Sequence, residues 1–446
     1  MIETPMRNAD ALWRPMTQYR TSAQPMLVER ADGCMVWDAH GNRYLDAMSG
    51  LWCVNVGYGR REIVEACAEQ MQRLCYASPL RPATVTLELA RKLASMLPGL
   101  EHTFFTNSGS EAVETAIKVA RQSQHQRFPG ESRFKIIARY RGYHGWTLGA
   151  LSATGQVNRK RRFEPLLSGF VHVGPPACED CAAGIHERCA SDPIDEIAKR
   201  IRYEGAETIA AIIAEPIIGG GGVIEPSADY FPRLRELCDA HGMLLIADEV
   251  ITGFGRTGKM FAYEHWSGVQ PDIVTLAKGL SSGYQPIGAT VVSRQVFAQF
   301  YGDAAERREF SQLSTFGGHP VAAAASLANL RIIEEEELVQ QSARLGDIAK
   351  RIISEWSHPA ISQIRGKGLM IGLEMARDGK RFSEAATDDV IARVKKQGVL
   401  IGRNSATISE LGNVLTIAPP LSIRDDELEI VLAALKAALQ PVRDGQ

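Results

Sequence analysis

Met243-Leu244-Leu245-Ile246-Ala247-Asp248-Glu249-Val250 is an apolar run closed by two acids and a valine. The run has no polar alternation, so it reads as a strand buried on both faces rather than one resting on a wet surface. The same rhythm recurs outward from it, at Phe134–Ala138, Ile209–Ala214, Asp272–Ala277 and Ile287–Val292. Several of the gaps can hold a crossover helix. Ala228–His241, with Leu234, Leu237 and Cys238 on one face, is the clearest. Strand, helix, strand at this spacing predicts an α/β fold with a mostly parallel central sheet flanked by helices.

The chain ends read differently. Met35–Leu45 predicts a hairpin turning at His40-Gly41-Asn42. Gly368–Met375 and Val414–Ala418 predict strands, and Asp425–Leu439 a closing helix. Ala322–Ile333 predicts a long helix leaving the central region into the acidic cluster Glu334–Glu337. The expected organisation is a large domain at 66–333, with 1–65 and 334–446 together forming a small α+β domain.

At 446 residues the chain is long enough for two or three domains of about 150 residues. Hydrophobic residues at 45% and charged residues at 23% match an ordinary globular protein and exclude a disordered one. A formal net charge of −2 gives no electrostatic reason to bind nucleic acid or an anionic membrane. No apolar window approaches the roughly 20 residues of a membrane span, and Met1–Ala11 lacks the apolar core of a signal peptide. A cytoplasmic protein with reduced cysteines is expected. Cys178, Cys181 and Cys189, with His172 and His186, could supply zinc ligands, but no second regular pair completes the pattern, so no metal is expected. Arg159-Lys160-Arg161-Arg162 has no interleaved aromatic residues and reads as a solvated loop.

Three places could carry chemistry. Asn107-Ser108-Gly109-Ser110-Glu111 lies between an apolar strand end and an amphipathic helix, where backbone N–H groups can hold an anion. An ordinary serine cap with a following glutamate reads equally from these residues. Asp248 and Glu249 end a strand at the edge where α/β sheets bind ligands, though a loop ion pair would look the same. Lys278, between Ala277 and Gly279, ends another apolar run. Desolvation would make its amine nucleophilic, and the bland alternative is a lysine reaching solvent. Gly253-Phe254-Gly255-Arg256-Thr257-Gly258 imitates a dinucleotide fingerprint, but an acid pair separates it from the strand and no amphipathic helix follows. A phosphate cradle, a carboxylate and a buried lysine on one sheet are together what pyridoxal phosphate requires.

From about Trp13 onward the sequence closely resembles the class III pyridoxal-phosphate aminotransferases of fold type I. The resemblance rests on Thr106-Asn107-Ser108-Gly109-Ser110-Glu111-Ala112, Tyr143-His144-Gly145, Ala214-Glu215-Pro216, Ala247-Asp248-Glu249-Val250, Ala277-Lys278-Gly279-Leu280 and Gly317-Gly318-His319-Pro320. It implies a Schiff-base and proton-shuttling role for Lys278, and a pyridinium partner in Asp248. Tyr143 and Val250 would lie on the two ring faces, with His144 also at the cofactor. Gly109 and Ser110 would cradle the phosphate, and Glu215 would lie beside the ring oxygen. Thr315 would reach the phosphate of the neighbouring subunit, which implies a homodimer or a dimer of dimers.

Gly50-Leu51-Trp52-Cys53-Val54-Asn55-Val56-Gly57-Tyr58-Gly59 resembles the pyruvate-dependent ω-transaminases, in which the tryptophan lines the substrate pocket. Arg403 falls where many of them carry an arginine that swings between a carboxylate and an apolar amine. The implied reaction is ping-pong transfer from an amine or ω-amino acid of the taurine, β-alanine or arylalkylamine type to pyruvate. Trp13-Arg14-Pro15-Met16-Thr17-Gln18 resembles a second subgroup, the diaminopelargonate-forming enzymes that use adenosylmethionine and 8-amino-7-oxononanoate, with Arg14 in place of their histidine. A PLP-dependent aminomutase is the other alternative.

Overall fold

The computed structural model describes residues 11–19, 25–177, 192–404 and 411–440. The cysteine cluster at 178–189 lies outside them. Its centre is a seven-stranded sheet in the order Leu100–Thr106, Gly288–Ser293, Ile273–Leu276, Leu244–Asp248, Ile209–Ala214, Lys135–Arg139, Phe170–Val173. The strands from Ile273–Leu276 to Phe170–Val173 pair in parallel, and Gly288–Ser293 runs antiparallel to both of its neighbours. Leu100–Thr106 therefore points the same way as the parallel set. Every residue of Ile209–Ala214 and Leu244–Asp248 is buried, as expected of strands covered on both faces.

The helix expected at Ala228–His241 spans Tyr230–His241 and buries Leu234 and Cys238. Gly242 closes it at φ +65°, the left-handed cap that glycine adopts at little cost. Pro320–Glu335 is the long helix, started by a His319 cap with proline in its first turn. Leu338–Glu355 follows it.

Met35–Asp38 and Arg43–Asp46 form the expected hairpin, and Val399–Leu400 from the far end of the chain pairs in parallel beside it. A third sheet holds Ile361–Arg365, Ile371–Arg377, Val414–Ile417 and Gly402–Arg403. The strand expected from Gly368 begins at Ile371. Gly366 and Gly368 take φ +113° and +54°, and a Cβ on Gly366 would lie 1.8 Å from the Met370 carbonyl oxygen, so both belong to a turn. Among the described residues no helix is long and apolar enough to cross a membrane, and no acid, histidine and cysteine cluster suits a metal.

Candidate active site

The direction of the sheet places four sequence signals at one edge. Strand Leu100–Thr106 ends into helix Gly109–Arg127. Ser108 caps that helix, its Oγ accepting from Glu111 N–H at 3.2 Å, while Glu111 Oε2 accepts from Asn107 N–H at 2.8 Å. The ordinary cap is thus present. It leaves the Gly109 and Ser110 N–H groups in the first turn, which an α-helix cannot satisfy internally. Gly109 is required because a Cβ there would lie 2.8 Å from Val250 Cγ1, so its absence lets Val250 approach the cradle. Ser110 Oγ accepts from Trp146 N–H at 3.1 Å and ties in the loop that carries Tyr143 and His144.

Asp248, 3% exposed, accepts from Thr275 Oγ1 at 2.9 Å and Val250 N–H at 3.2 Å, and its Oδ2 lies 2.7 Å from His144 Nδ1. His144 was expected to meet the cofactor, and the structure seats it against Asp248. Three partners hold this carboxyl in one orientation, which a loop ion pair would not need. Glu215 follows the next strand. It accepts from Tyr143 N–H at 2.9 Å and Gly219 N–H at 3.0 Å. Burial raises its pKa, His144 opposes that, and the nearby Asp248 charge adds to it.

Lys278 follows Ile273–Leu276 after one residue, Ala277, and sits at φ +44°, a backbone conformation that costs a non-glycine residue about 1–3 kcal/mol and clusters at functional sites. Burial lowers the pKa of its amine more than any neighbour alters it, with Cys53, Asp248 and Glu215 opposing. The residue as a whole is half-buried. Gly279 lets Asn55 close over this loop, since a Cβ would lie 2.5 Å from Asn55 Nδ2.

Sequence reasoning missed Arg256. The glycine run that imitated a dinucleotide site folds into turns around this fully buried arginine. Its guanidinium donates to Ser49 Oγ, Asn55 Oδ1 and the carbonyls of Leu369 and Pro419, bracing both chain ends behind Lys278. Repeated glycines were the only signal, and they pointed to a different chemistry.

The remaining expected residues lie around this edge. Burial pushes the Tyr143 phenol up to about 12, and its ring has the Arg159 guanidinium over it at 4.9 Å. Arg159 therefore leaves the solvated loop in which the sequence placed it, while Arg161 and Arg162 stay exposed. Trp52 is 7% exposed, at φ +59°, within the apolar cluster that holds Ile251 and Met370. Thr315 is exposed. Its carbonyl accepts from the Tyr76 hydroxyl at 3.1 Å, and neighbouring Ser314 Oγ accepts from Asn107 Nδ2 at 2.9 Å. Arg403 is held by Asp388, at 2.6 and 3.2 Å, and by Glu384 at 3.3 Å. Residues 405–410 of the loop after Arg403 lie outside the described residues.

The model of the family described as aminotransferase class-III matches residues 17–439. The chain is a class III aminotransferase. A taurine–pyruvate aminotransferase of Bilophila wadsworthia is 39% identical over 448 residues, 97% of this chain and 95% of that protein. A putrescine–pyruvate aminotransferase of Pseudomonas aeruginosa is 34% identical over 438 residues, 95% and 93% of the two chains. An amine transaminase from an uncultivated Pseudomonas species, solved in a PLP-bound form, superposes with a TM-score of 0.87 at 33% identity over 97% and 99% of the two chains. The fold is accordingly that of the fold-type I transaminases.

The residues of this aminotransferase fit such a cofactor. The open first turn at Gly109 and Ser110 suits a phosphate. Asp248 is an oriented carboxylate suited to a protonated ring nitrogen, and Lys278 is a half-buried amine at the end of the neighbouring strand.

Proposed function

We propose that this aminotransferase uses pyridoxal phosphate and moves an amino group from an amine or ω-amino acid, of the taurine, β-alanine or arylalkylamine type, to pyruvate. The observation that carries the reading is the convergence of Lys278, Asp248, Glu215 and the Gly109–Ser110 turn on the carboxyl edge of one sheet. When bound, pyridoxal phosphate supplies a carbonyl carbon that accepts an amino group and a ring that delocalises the electrons released from the substrate.

The chain does the rest. Lys278 would hold the cofactor through its amine and, once displaced by substrate, carries the proton on Nζ. Its depressed pKa favours the neutral base that such transfer needs. Asp248, fixed by Thr275 and His144, keeps the ring nitrogen protonated. Tyr143 and Val250 would hold the ring, and Glu215 would accept or donate at its oxygen. Trp52 closes the apolar side of the substrate space. Arg403 takes the keto-acid carboxylate by leaving Asp388 and Glu384. Thr315, exposed on its own subunit, would hold the phosphate of a second copy, which makes the working unit we propose a homodimer or a dimer of dimers. Residues 66–333 form the cofactor-holding domain, and 1–65 with 334–446 form the small one.

The test is alanine formation from pyruvate with a panel of taurine, β-alanine and 1-phenylethylamine. Alanine equimolar with the aldehyde or ketone from at least one donor is expected. Purified, PLP-supplemented protein that makes alanine from none of them would refute the reading.

A further inference from the structure

The loop after the strand Ile273–Leu276 has two residues in left-handed backbone that are not glycine, Lys278 at φ +44° and Ser282 at φ +49°. Such residues persist only where their surroundings hold them. The hold comes from another element. Asn329 lies in the helix Pro320–Glu335, within an alanine-rich apolar stretch, and is wholly buried. Its Nδ2 donates to the Gly279 carbonyl at 2.8 Å and to the Leu280 carbonyl at 3.0 Å. Its Oδ1 accepts from Ser282 Oγ at 2.6 Å. One side chain thus ties down the loop between its two left-handed residues.

The tie continues beyond the helix. Ser282 Oγ accepts from the Asn55 and Val56 N–H groups at 3.1 and 3.2 Å. Asn55 Oδ1 accepts from Arg256, and its Nδ2 donates to the Phe254 carbonyl at 2.9 Å. Asn55, Ser282 and Arg256 are all buried, so the network runs from the N-terminal segment to the helix out of reach of water.

We propose that Asn329 is a positioning residue for the reaction, which holds the backbone that carries Lys278 and so fixes where its amine can reach. The inference rests on the Lys278 reading above and adds a residue that acts only through the lysine's loop. Two carbonyls and a hydroxyl require two donors and one acceptor from one short side chain, which an amide supplies. An aspartate has the same shape but turns a carboxylate toward both carbonyls. A leucine would leave all three groups buried without a partner. When the tie is cut, the two left-handed residues are free to relax. A displacement of about 1 Å at a reacting atom costs on the order of 100-fold in rate.

The test uses the full-length, PLP-supplemented protein and three variants. Asn329→Asp removes both donor bonds, and Ser282→Ala removes the third bond while leaving the amide in place. Ser326 is buried on the same helix, and its hydroxyl bonds within the helix, to the Ala322 carbonyl at 2.8 Å, so Ser326→Ala controls for damage to the helix. Alanine formation gives kcat and the pyruvate KM, amide hydrogen exchange is followed at 279–282, and thermal unfolding is recorded for each variant. In Asn329→Asp we expect kcat to fall on the order of 10- to 100-fold while the pyruvate KM stays within about twofold. Exchange at 279–282 rises at least about tenfold. Ser282→Ala shows the same pattern at smaller size, and Ser326→Ala alters thermal unfolding alone. A folded Asn329→Asp with the wild-type kcat overturns the proposal, as do equal losses in Asn329→Asp and Ser326→Ala. Should Asn329→Asp fail to fold, Ser282→Ala decides, and unchanged kcat and exchange in it overturn the proposal. Wild-type protein that makes no alanine would refute the transaminase reading instead, and the exchange would still show whether Asn329 holds the loop.

Discussion

At the sheet edge Asp248 has three hydrogen-bond partners and is 3% exposed, whereas at the rim Arg403 holds two half-exposed or exposed acids and Thr315 lies open to solvent. The edge is over-determined: Gly109, Gly145 and Gly279 each leave room that a Cβ would fill. At the rim, Arg403 is held by ion pairs to Glu384 and Asp388. A site built this way fixes the chemistry and leaves substrate choice adjustable, which fits relatives named for donors as different as taurine and putrescine.

That contrast breaks if an edge residue can be changed cheaply. Asp248→Asn keeps the shape and removes the charge, and we expect kcat to fall about 100- to 1,000-fold with little change in thermal unfolding. A loss under tenfold would mean that Asp248 is only a structural partner of His144.

Next in size is a pH effect from Glu249, which is fully buried and packed behind the edge. Thr252 Oγ1 and Tyr263 N–H hydrogen-bond it, yet burial still raises its pKa to about 7 from an ordinary value near 4.5. Between those values the folded chain keeps a proton that the unfolded chain has released, so stability falls as pH rises, by about 3 kcal/mol in all. Glu249→Gln should therefore match wild type near pH 5 and melt higher than wild type at pH 8. A melting difference that does not change with pH would contradict this.

The smallest effect belongs to the rim. Asp388→Asn weakens the hold on Arg403, and we expect the pyruvate KM to fall by about two- to fivefold with kcat kept. A rise would show that Asp388 positions Arg403 for substrate rather than restraining it.

The strands were legible because parallel strands covered on both faces must be apolar throughout, and Ile209–Ala214 matches its expected bounds. The short edge strand Phe170–Val173 escaped notice because His172 interrupts it and none of its first three residues is fully buried. Lys278 and Asp248 could be placed because a lysine or an acid ending an apolar run is chemically conspicuous. The left-handed backbone at Lys278 could not be read, since no glycine or asparagine marks it. Arg159 and Arg256 were hidden for a related reason. The first lies in a run of four basic residues, of which Arg159 and Lys160 are half-buried, and the second is fully buried among three glycines; only the folded chain shows which basic residues leave the solvent.

The central claim is that Lys278 is the covalent and proton-carrying residue of a pyruvate-dependent transaminase. The visible absorption spectrum of PLP-supplemented wild type and Lys278→Ala, titrated with taurine, β-alanine and 1-phenylethylamine and then with pyruvate, tests it most directly. The account predicts a yellow band in the wild type that one of these donors bleaches and pyruvate restores. In Lys278→Ala that cycle is absent, and turnover falls by at least about 1,000-fold. A wild-type protein with no such band, or a variant that cycles as the wild type does, would contradict it.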